Sequence, residues 1–194
     1  GDLPDGGPDF VMIPFDVPAG TEEISVTHPK QQPENLLDYG VFDPNGFRGW
    51  GGGNDEPAIV GRLAASRSYL AGPMPAGQWS VLIGKAKIIV APARYRLEID
   101  VRPVATLPAQ PARAPYVPAA RLSGEARWYA GDLHVHSRES GDASPTMDEV
   151  AAFARSRGLD FVEYSEHNTV SQLDFFGDVQ SRHPDVLLLP GVEF

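Results

Sequence analysis

Glycine and proline punctuate the first two thirds of this chain so densely that long helices have no room there. The 194 residues include 20 glycines and 19 prolines, most of them before residue 120. Proline locks φ and removes an amide donor, while glycine lets the backbone turn, so the apolar runs between them are confined to short strands. Phe10–Phe15, Glu23–Thr27, Leu36–Phe42, Ala58–Leu63, Trp79–Ile83, Lys87–Val90 and Tyr95–Val101 read as those strands. Residues 95–101 alternate apolar with polar side chains, which puts one apolar face toward a core. Asp43-Pro44-Asn45-Gly46 reads as a turn, with Pro44 setting φ and Gly46 free to take a positive one. About seven short strands with frequent turns predict an all-β sandwich over residues 1–105.

The pattern changes later in the chain. Residues 106–127 carry Pro108, Pro111, Pro115 and Pro118 among alanines and read as a stiff linker or strap. Residues 128–194 alternate strand and helix signals. Leu133–His136 reads as a strand. A helix follows, capped by Ser144 or by Thr146 in a Thr146-x-x-Glu149 capping box, with Val150, Phe153 and Ala154 on one face and a stop at Gly158. Phe161–Ser165, a helix over about 170–182, and Val186–Leu189 complete the pattern. The expected fold is therefore two-domain: an all-β sandwich, then the first β-α-β-α-β portion of a distorted α/β barrel, with functional groups at the C-terminal strand ends.

Composition narrows the function classes. Net charge is −10, with 16 basic and 26 acidic residues, and no basic stripe exists to neutralise phosphates, so no nucleic-acid partner is expected. No apolar run is long enough to span a membrane, so no membrane partner is expected either. There is no cysteine, which excludes disulfides and thiolate metal ligands.

The chemistry concentrates between residues 131 and 193. In Gly131-Asp132-Leu133-His134-Val135-His136-Ser137, strand alternation puts Asp132, His134 and His136 on one face, with the imidazoles about 6–7 Å apart along the strand. Neutral imidazoles so spaced can share a divalent ion. Asp142 follows in the next loop, His167 ends the second strand in Glu166-His167-Asn168, and Glu193 ends the third in Gly191-Val192-Glu193. Each has a blander reading. Asp142 could stabilise the turn at Gly141, His167 could be a satisfied histidine capping the second helix with Asn168 as its N-cap, and Glu193 could be a solvated turn residue. His28 and His183, each followed by proline, read as surface-loop residues outside the site.

The block Gly131–Glu193 resembles the opening of the polymerase-and-histidinol-phosphatase (PHP) superfamily. That pattern runs Asp-x-His-x-His-Ser/Thr, Ser-Asp-Gly or a histidine, Thr-Asp-His-Asn, then Gly-x-Glu. The resemblance implies that His134 and His136 ligate one metal, that Glu193 bridges two, and that His167 and Asp142 hold a further one. It implies two or three divalent ions (Zn, Mn or Fe) in the complete enzyme. Two departures stand out: Ser140-Gly141-Asp142 places its carboxylate one residue late, and Glu166 replaces an aspartate. Asp132 and Glu166 are expected to support the ligands rather than bind metal, though Glu166 has the reach to touch it. The segments Leu37–Gly46, Gly49–Gly53 and Gly72–Trp79 are similar to the β-domain that precedes the PHP block in carbaryl-hydrolase-like metallohydrolases.

The implied activity is hydrolysis of a small-molecule phosphoester, carboxyl ester or carbamate by a metal-bridging hydroxide held at His134, His136 and Glu193, with Arg138 binding an anionic substrate group. The superfamily's remaining ligands lie on later strands. This chain is therefore expected to bind metal weakly or at one site and to lack robust turnover. An open sheet edge would also favour a homodimer. The alternative reading is a β-sandwich module that binds glycan or protein through Trp50 and Trp79 loops, with a vestigial or structural metal loop. The amidohydrolase superfamily also has His-x-His on its first strand, but the close succession of Glu166-His167-Asn168 and Gly191-Val192-Glu193 is not its pattern.

Overall fold

The computed structural model describes residues 1–118 and 123–194, so positions 119–122 of the expected linker lie outside the described residues. The chain divides into two compact units, Gly1–Ala109 and Gln110–Phe194. The first contains β1 (Asp2–Leu3), β2 (Phe10–Val17), β3 (Glu23–Thr27), β4 (Leu36–Asp43), β5 (Gly46–Gly52), β6 (Ala58–Gly61), β7 (Gly77–Lys87), β8 (Ala93–Arg94) and β9 (Glu98–Arg102). One antiparallel sheet has the order β2-β7-β4-β5, a second β6-β3-β9, and β1 pairs with β8. Val17, Tyr39, Val41, Trp79, Val81 and Ile83 from the first sheet share one apolar core with Ile24, Val26, Ala58 and Val60 from the second.

The two-residue strands β1 and β8 were not expected, and β5 and β7 differ most from expectation. β5 occupies the glycine-rich run after the turn, where no strand was predicted. It pairs with β4 because the Asp43–Gly46 turn reverses the chain: Gly46 has φ +141°, and the amides of Asn45 and Gly46 donate to Asp43 Oδ1 at 2.6 and 2.8 Å. The glycines of β5 are needed for close packing, since a Cβ on Gly49 would run into the Ser68 carbonyl oxygen and sit 2.6 Å from Tyr69 Cα. β7 runs unbroken for 11 residues and absorbs Trp79–Ile83, leaving Ile88–Val90 outside any strand.

Trp50 and Trp79 are core residues, 6% and 0% exposed. Trp79 Nε1 donates to the Pro75 carbonyl at 2.9 Å, and the Arg48 guanidinium lies 5.3 Å from its ring centroid. Both indoles are thus committed to packing, and neither presents a face to a ligand. His28 is also a correction: it is buried and stacked on Tyr39 with centroids 4.1 Å apart, not a surface-loop residue.

The second unit contains β10 (Gly131–Val135), α1 (Met147–Ser156), β11 (Phe161–His167), α2 (Phe176–Arg182) and β12 (Leu187–Glu193), with short 3-10 turns at Arg138–Ser140 and Ser171–Phe175. The expected barrel portion is overturned. The fold is β-rich, 38% strand against 13% helix with two helices among the described residues, and only the sandwich expectation agrees with that. The strands of this unit form a three-stranded parallel sheet in the order β10-β11-β12, which does not close into a barrel among the described residues. The second helix shrinks to seven residues because the start of its predicted span is a 3-10 turn with no side-chain cap at Val170.

α1 begins as its sequence dictates. Thr146 caps it in a complete capping box with Glu149, and Gly158 (φ +73°) follows its end. Its buried stripe is Met147, Ala151 and Ala154 rather than the Val150, Phe153 and Ala154 face, and Phe153 is 65% exposed. The small alanines let the helix sit close on Val162, Tyr164 and Leu188, with the Tyr164 hydroxyl donating to the Met147 carbonyl at 2.7 Å. Within the expected linker, Arg113 pairs with Asp174 at 2.8 Å and Tyr116 packs edge-on against Phe176, so that stretch belongs to the second unit's core. No helix among the described residues is long and apolar enough to cross a membrane.

Candidate metal centre

The parallel register of β11 with β12 places His167 directly beside Glu193, and the Asn168 amide closes the pair by donating to the Glu193 carbonyl at 2.9 Å. Asn168 takes a left-handed conformation (φ +50°) to do so and does not cap the following helical segment. β10 pairs on the other side of β11 with a register irregularity between Asp132 and Val135. The simple alternation expected for Asp132, His134 and His136 is broken there: the Asp132 carboxylate accepts its own strand's His134 amide at 3.0 Å. Asp132 therefore holds the irregular backbone rather than an imidazole.

His134, His136 and Glu193 meet in a triangle of donor atoms. His134 Nε2 lies 3.1 Å from His136 Nε2 and 3.0 Å from Glu193 Oε2, and His136 Nε2 lies 3.1 Å from the same oxygen. Ligand atoms around one tetrahedral ion, with bonds of about 2.0–2.2 Å, are separated by about 3.3–3.6 Å, so the triangle is within about half an ångström of that shape. A second group joins it. His167 Nε2 lies 3.3 Å from Asp142 Oδ2 and its Nδ1 3.5 Å from Glu193 Oε2, while its ring stacks on His136 with centroids 4.6 Å apart. The residues fall into two potential metal-binding groups, His134–His136–Glu193 and His136–Asp142–His167. Asp142 reaches His167 despite its late place in the sequence because Gly141 (φ +83°) turns the loop back.

Comparison of the chain with protein-family models, curated proteins and solved structures finds no match.

The supporting polar network was only partly anticipated. Glu166 shares the buried face of β11 with Val162 and Tyr164 and is in neither donor group. Its carboxylate accepts the Ser137 amide at 3.1 Å and the Ser137 hydroxyl at 2.5 Å. Burial pushes this carboxyl up to about 7, against the opposing pull of the Ser137 hydrogen bonds. Ser140, 3% exposed, stands 2.8 Å from His136 Nδ1 and accepts the His167 amide at 2.9 Å. Glu139, also buried, accepts the Ser171 hydroxyl at 2.6 Å. Ser137, Ser140 and Glu139 were not picked out as site residues. The displaced Ser140-Gly141-Asp142 triplet was the only local signal.

Burial, then the neighbouring His167, lowers the His136 pKa, against the carboxylates of Asp142 and Glu193, and so favours the neutral imidazole a metal requires. Arg138 opens the 3-10 turn beside His136; its amide donates to the Pro145 carbonyl at 2.6 Å, and its exposed side chain has no ion-pair partner among the described residues. His183 is at the end of α2, buried, with Nε2 3.1 Å from Asp148 Oδ1, outside both donor groups. It is not the surface residue expected.

Proposed function

We propose that the second unit carries a divalent-metal centre for hydrolysis, acting on a phosphoester, carboxyl ester or carbamate. The observation that carries this reading is the triangle of His134 Nε2, His136 Nε2 and Glu193 Oε2, with all edges between 3.0 and 3.1 Å. Two imidazole nitrogens and a carboxylate oxygen make a borderline-hard donor set suited to Zn, Mn or Fe. His167 and Asp142 are the candidates for a further ion, with Glu193 Oε2 in reach of both groups. The motif resemblance to the PHP superfamily supplies the reaction class.

Divalent ions held here would supply Lewis acidity and an activated water at neutral pH. The chain's own residues do the rest. Glu193 brings negative charge into a cluster of three imidazoles and keeps them together as ligands. The site lies on an exposed rim, with the His134 side chain 60% accessible, which leaves room for a substrate to approach. Arg138, uncommitted and next to the ligand loop, is available to an anionic substrate group.

Testing starts with zinc and manganese binding by the 194-residue chain, measured calorimetrically, alongside turnover of p-nitrophenyl phosphate and p-nitrophenyl acetate. Binding that disappears in His134→Ala and Glu193→Ala is expected. Full hydrolytic activity in metal-stripped protein would end the proposal.

A further inference from the structure

The first unit contains a cavity lined by the β3–β4 loop, the start of β4, the β5–β6 loop and β8. Part of its wall is made of side-chain amides whose bonds are already spent. Gln32 Oε1 accepts the Asn35 side-chain amide at 2.9 Å and the Arg94 backbone amide at 2.7 Å. Asn35 Oδ1 accepts the amides of Ile89 and Val90 at 2.7 and 2.9 Å. Both side chains are buried, so these bonds fix the β3–β4 loop against the Arg94 backbone before any ligand arrives.

Other lining groups are uncommitted. Tyr39 is 7% exposed and stacked on His28, yet its hydroxyl has no hydrogen-bonding partner among the described residues. A phenol so deeply buried normally spends its O–H on a partner. Lys30 and Arg94 stand exposed on the same cavity with no ion-pair partner among the described residues. Two such cations are unusual in a chain of net charge −10, where Arg48, Arg62, Arg102 and Arg182 all pair with carboxylates.

We propose that this cavity binds a small hydroxylated oxyanion, a sugar acid or sugar phosphate, with Lys30 and Arg94 on the anionic group and the Tyr39 hydroxyl hydrogen-bonded to the ligand. An ammonium and a guanidinium side by side suit a carboxylate or a phosphate, and the guanidinium can hold either with two parallel bonds. Asp55, the acidic residue on the same lining, is exposed and disfavours a bare anion. It accepts hydrogen bonds from hydroxyls, so the ligand that satisfies the whole lining carries both an anionic group and hydroxyls. This binding is independent of whether the second unit holds metal.

Amide NMR of the metal-free 194-residue chain tests this, with glucuronate, glucose 6-phosphate, inorganic phosphate and glucose as probes. One or both sugar anions should give saturable shifts at Gly53, Asp55 and Arg94. Inorganic phosphate should bind more weakly, and glucose should shift none of these amides at equal concentration. Which sugar anion binds tells a carboxylate ligand from a phosphate one. Tyr39→Phe, which keeps the buried ring, should weaken binding about 5-fold, and Arg94→Gln about 20-fold. The proposal is overturned if neither sugar anion shifts these amides, or if glucose or inorganic phosphate shifts them equally well. Wild-type affinity in either variant would also overturn it.

Discussion

The backbone amide of Asn168 donates to the carbonyl of Glu193 at 2.9 Å, and this single bond locks two of the candidate ligands, His167 and Glu193, side by side across adjacent strands. The bond depends on Asn168 holding φ +50°, a conformation costing most residues about 1–2 kcal/mol. Asn168→Gly is expected to retain stability and zinc affinity. Asn168→Val should lose about 1–2 kcal/mol in urea denaturation, with weakened zinc binding because His167 and Glu193 shift apart. Equal behaviour of the two variants would show that the left-handed turn is not what aligns the ligands.

Metal should stabilise the folded chain by mass action. At a free zinc concentration 100 times the dissociation constant, one site contributes about 2.7 kcal/mol. Thermal melts with and without zinc should show that increment, a chelator should abolish it, and His136→Ala should be insensitive to both. A zinc-induced rise in Tm that survives His136→Ala would place the binding elsewhere.

Thr146 and Glu149 form a reciprocal capping box at the start of α1, with Thr146 Oγ1 accepting the Glu149 amide at 3.2 Å and Glu149 Oε2 accepting the Thr146 amide at 2.8 Å. Thr146→Ala should cost about 1 kcal/mol, and Thr146→Ser or Thr146→Asn much less. Denaturant midpoints for the three variants are the check.

Glu23 supplies a pH dependence whose sign can be worked out. Burial raises its pKa, but hydrogen bonds from Thr106, Leu107 and Arg102 outweigh it and hold the carboxyl below the ordinary glutamate range. The partners are close: Thr106 Oγ1 at 2.6 Å, Arg102 Nη1 at 2.9 Å, and the amides of Thr106 and Leu107 at 3.0 and 3.1 Å. A folded pKa below the unfolded one means the stabilisation is present above the unfolded value, about 4.3, and is lost as pH falls through the lower folded value. Stability measured from pH 7 downward should therefore decline in the acid range. Glu23→Gln should be less stable at pH 7, by about 1–3 kcal/mol, and show less of the acid decline. A variant with the wild-type pH slope would exclude Glu23 as its source.

Much of the fold was legible where local rules decide it. The Asp43–Gly46 turn, the Thr146 cap and the Gly158 stop all follow from one residue's conformational preference and its immediate neighbours. β5 was missed because its glycines lack any alternation, and it forms by pairing with β4 on one edge and bonding to Ser68–Leu70 on the other. The face of α1 was misjudged because Phe153 is the more hydrophobic residue, yet the sheet accepts only the smaller Ala151 and Ala154 at close range. The barrel portion was overread because alternating strand and helix signals do not specify how many strands assemble or whether the sheet closes.

The sequence by itself determined which groups can do chemistry here, since His134, His136, Asp142, His167 and Glu193 are ligand types whatever the fold. It also determined where the chain turns and where α1 starts. Only the tertiary structure decided that these five side chains meet, because the β10 irregularity and the β11–β12 register are pairings between segments distant in the chain. It alone assigned Asp132 to the backbone and Ser140 to His136 and His167 at once. Local propensity reaches a few residues along the chain, whereas a hydroxyl's hydrogen bonds depend on whatever the fold packs around it.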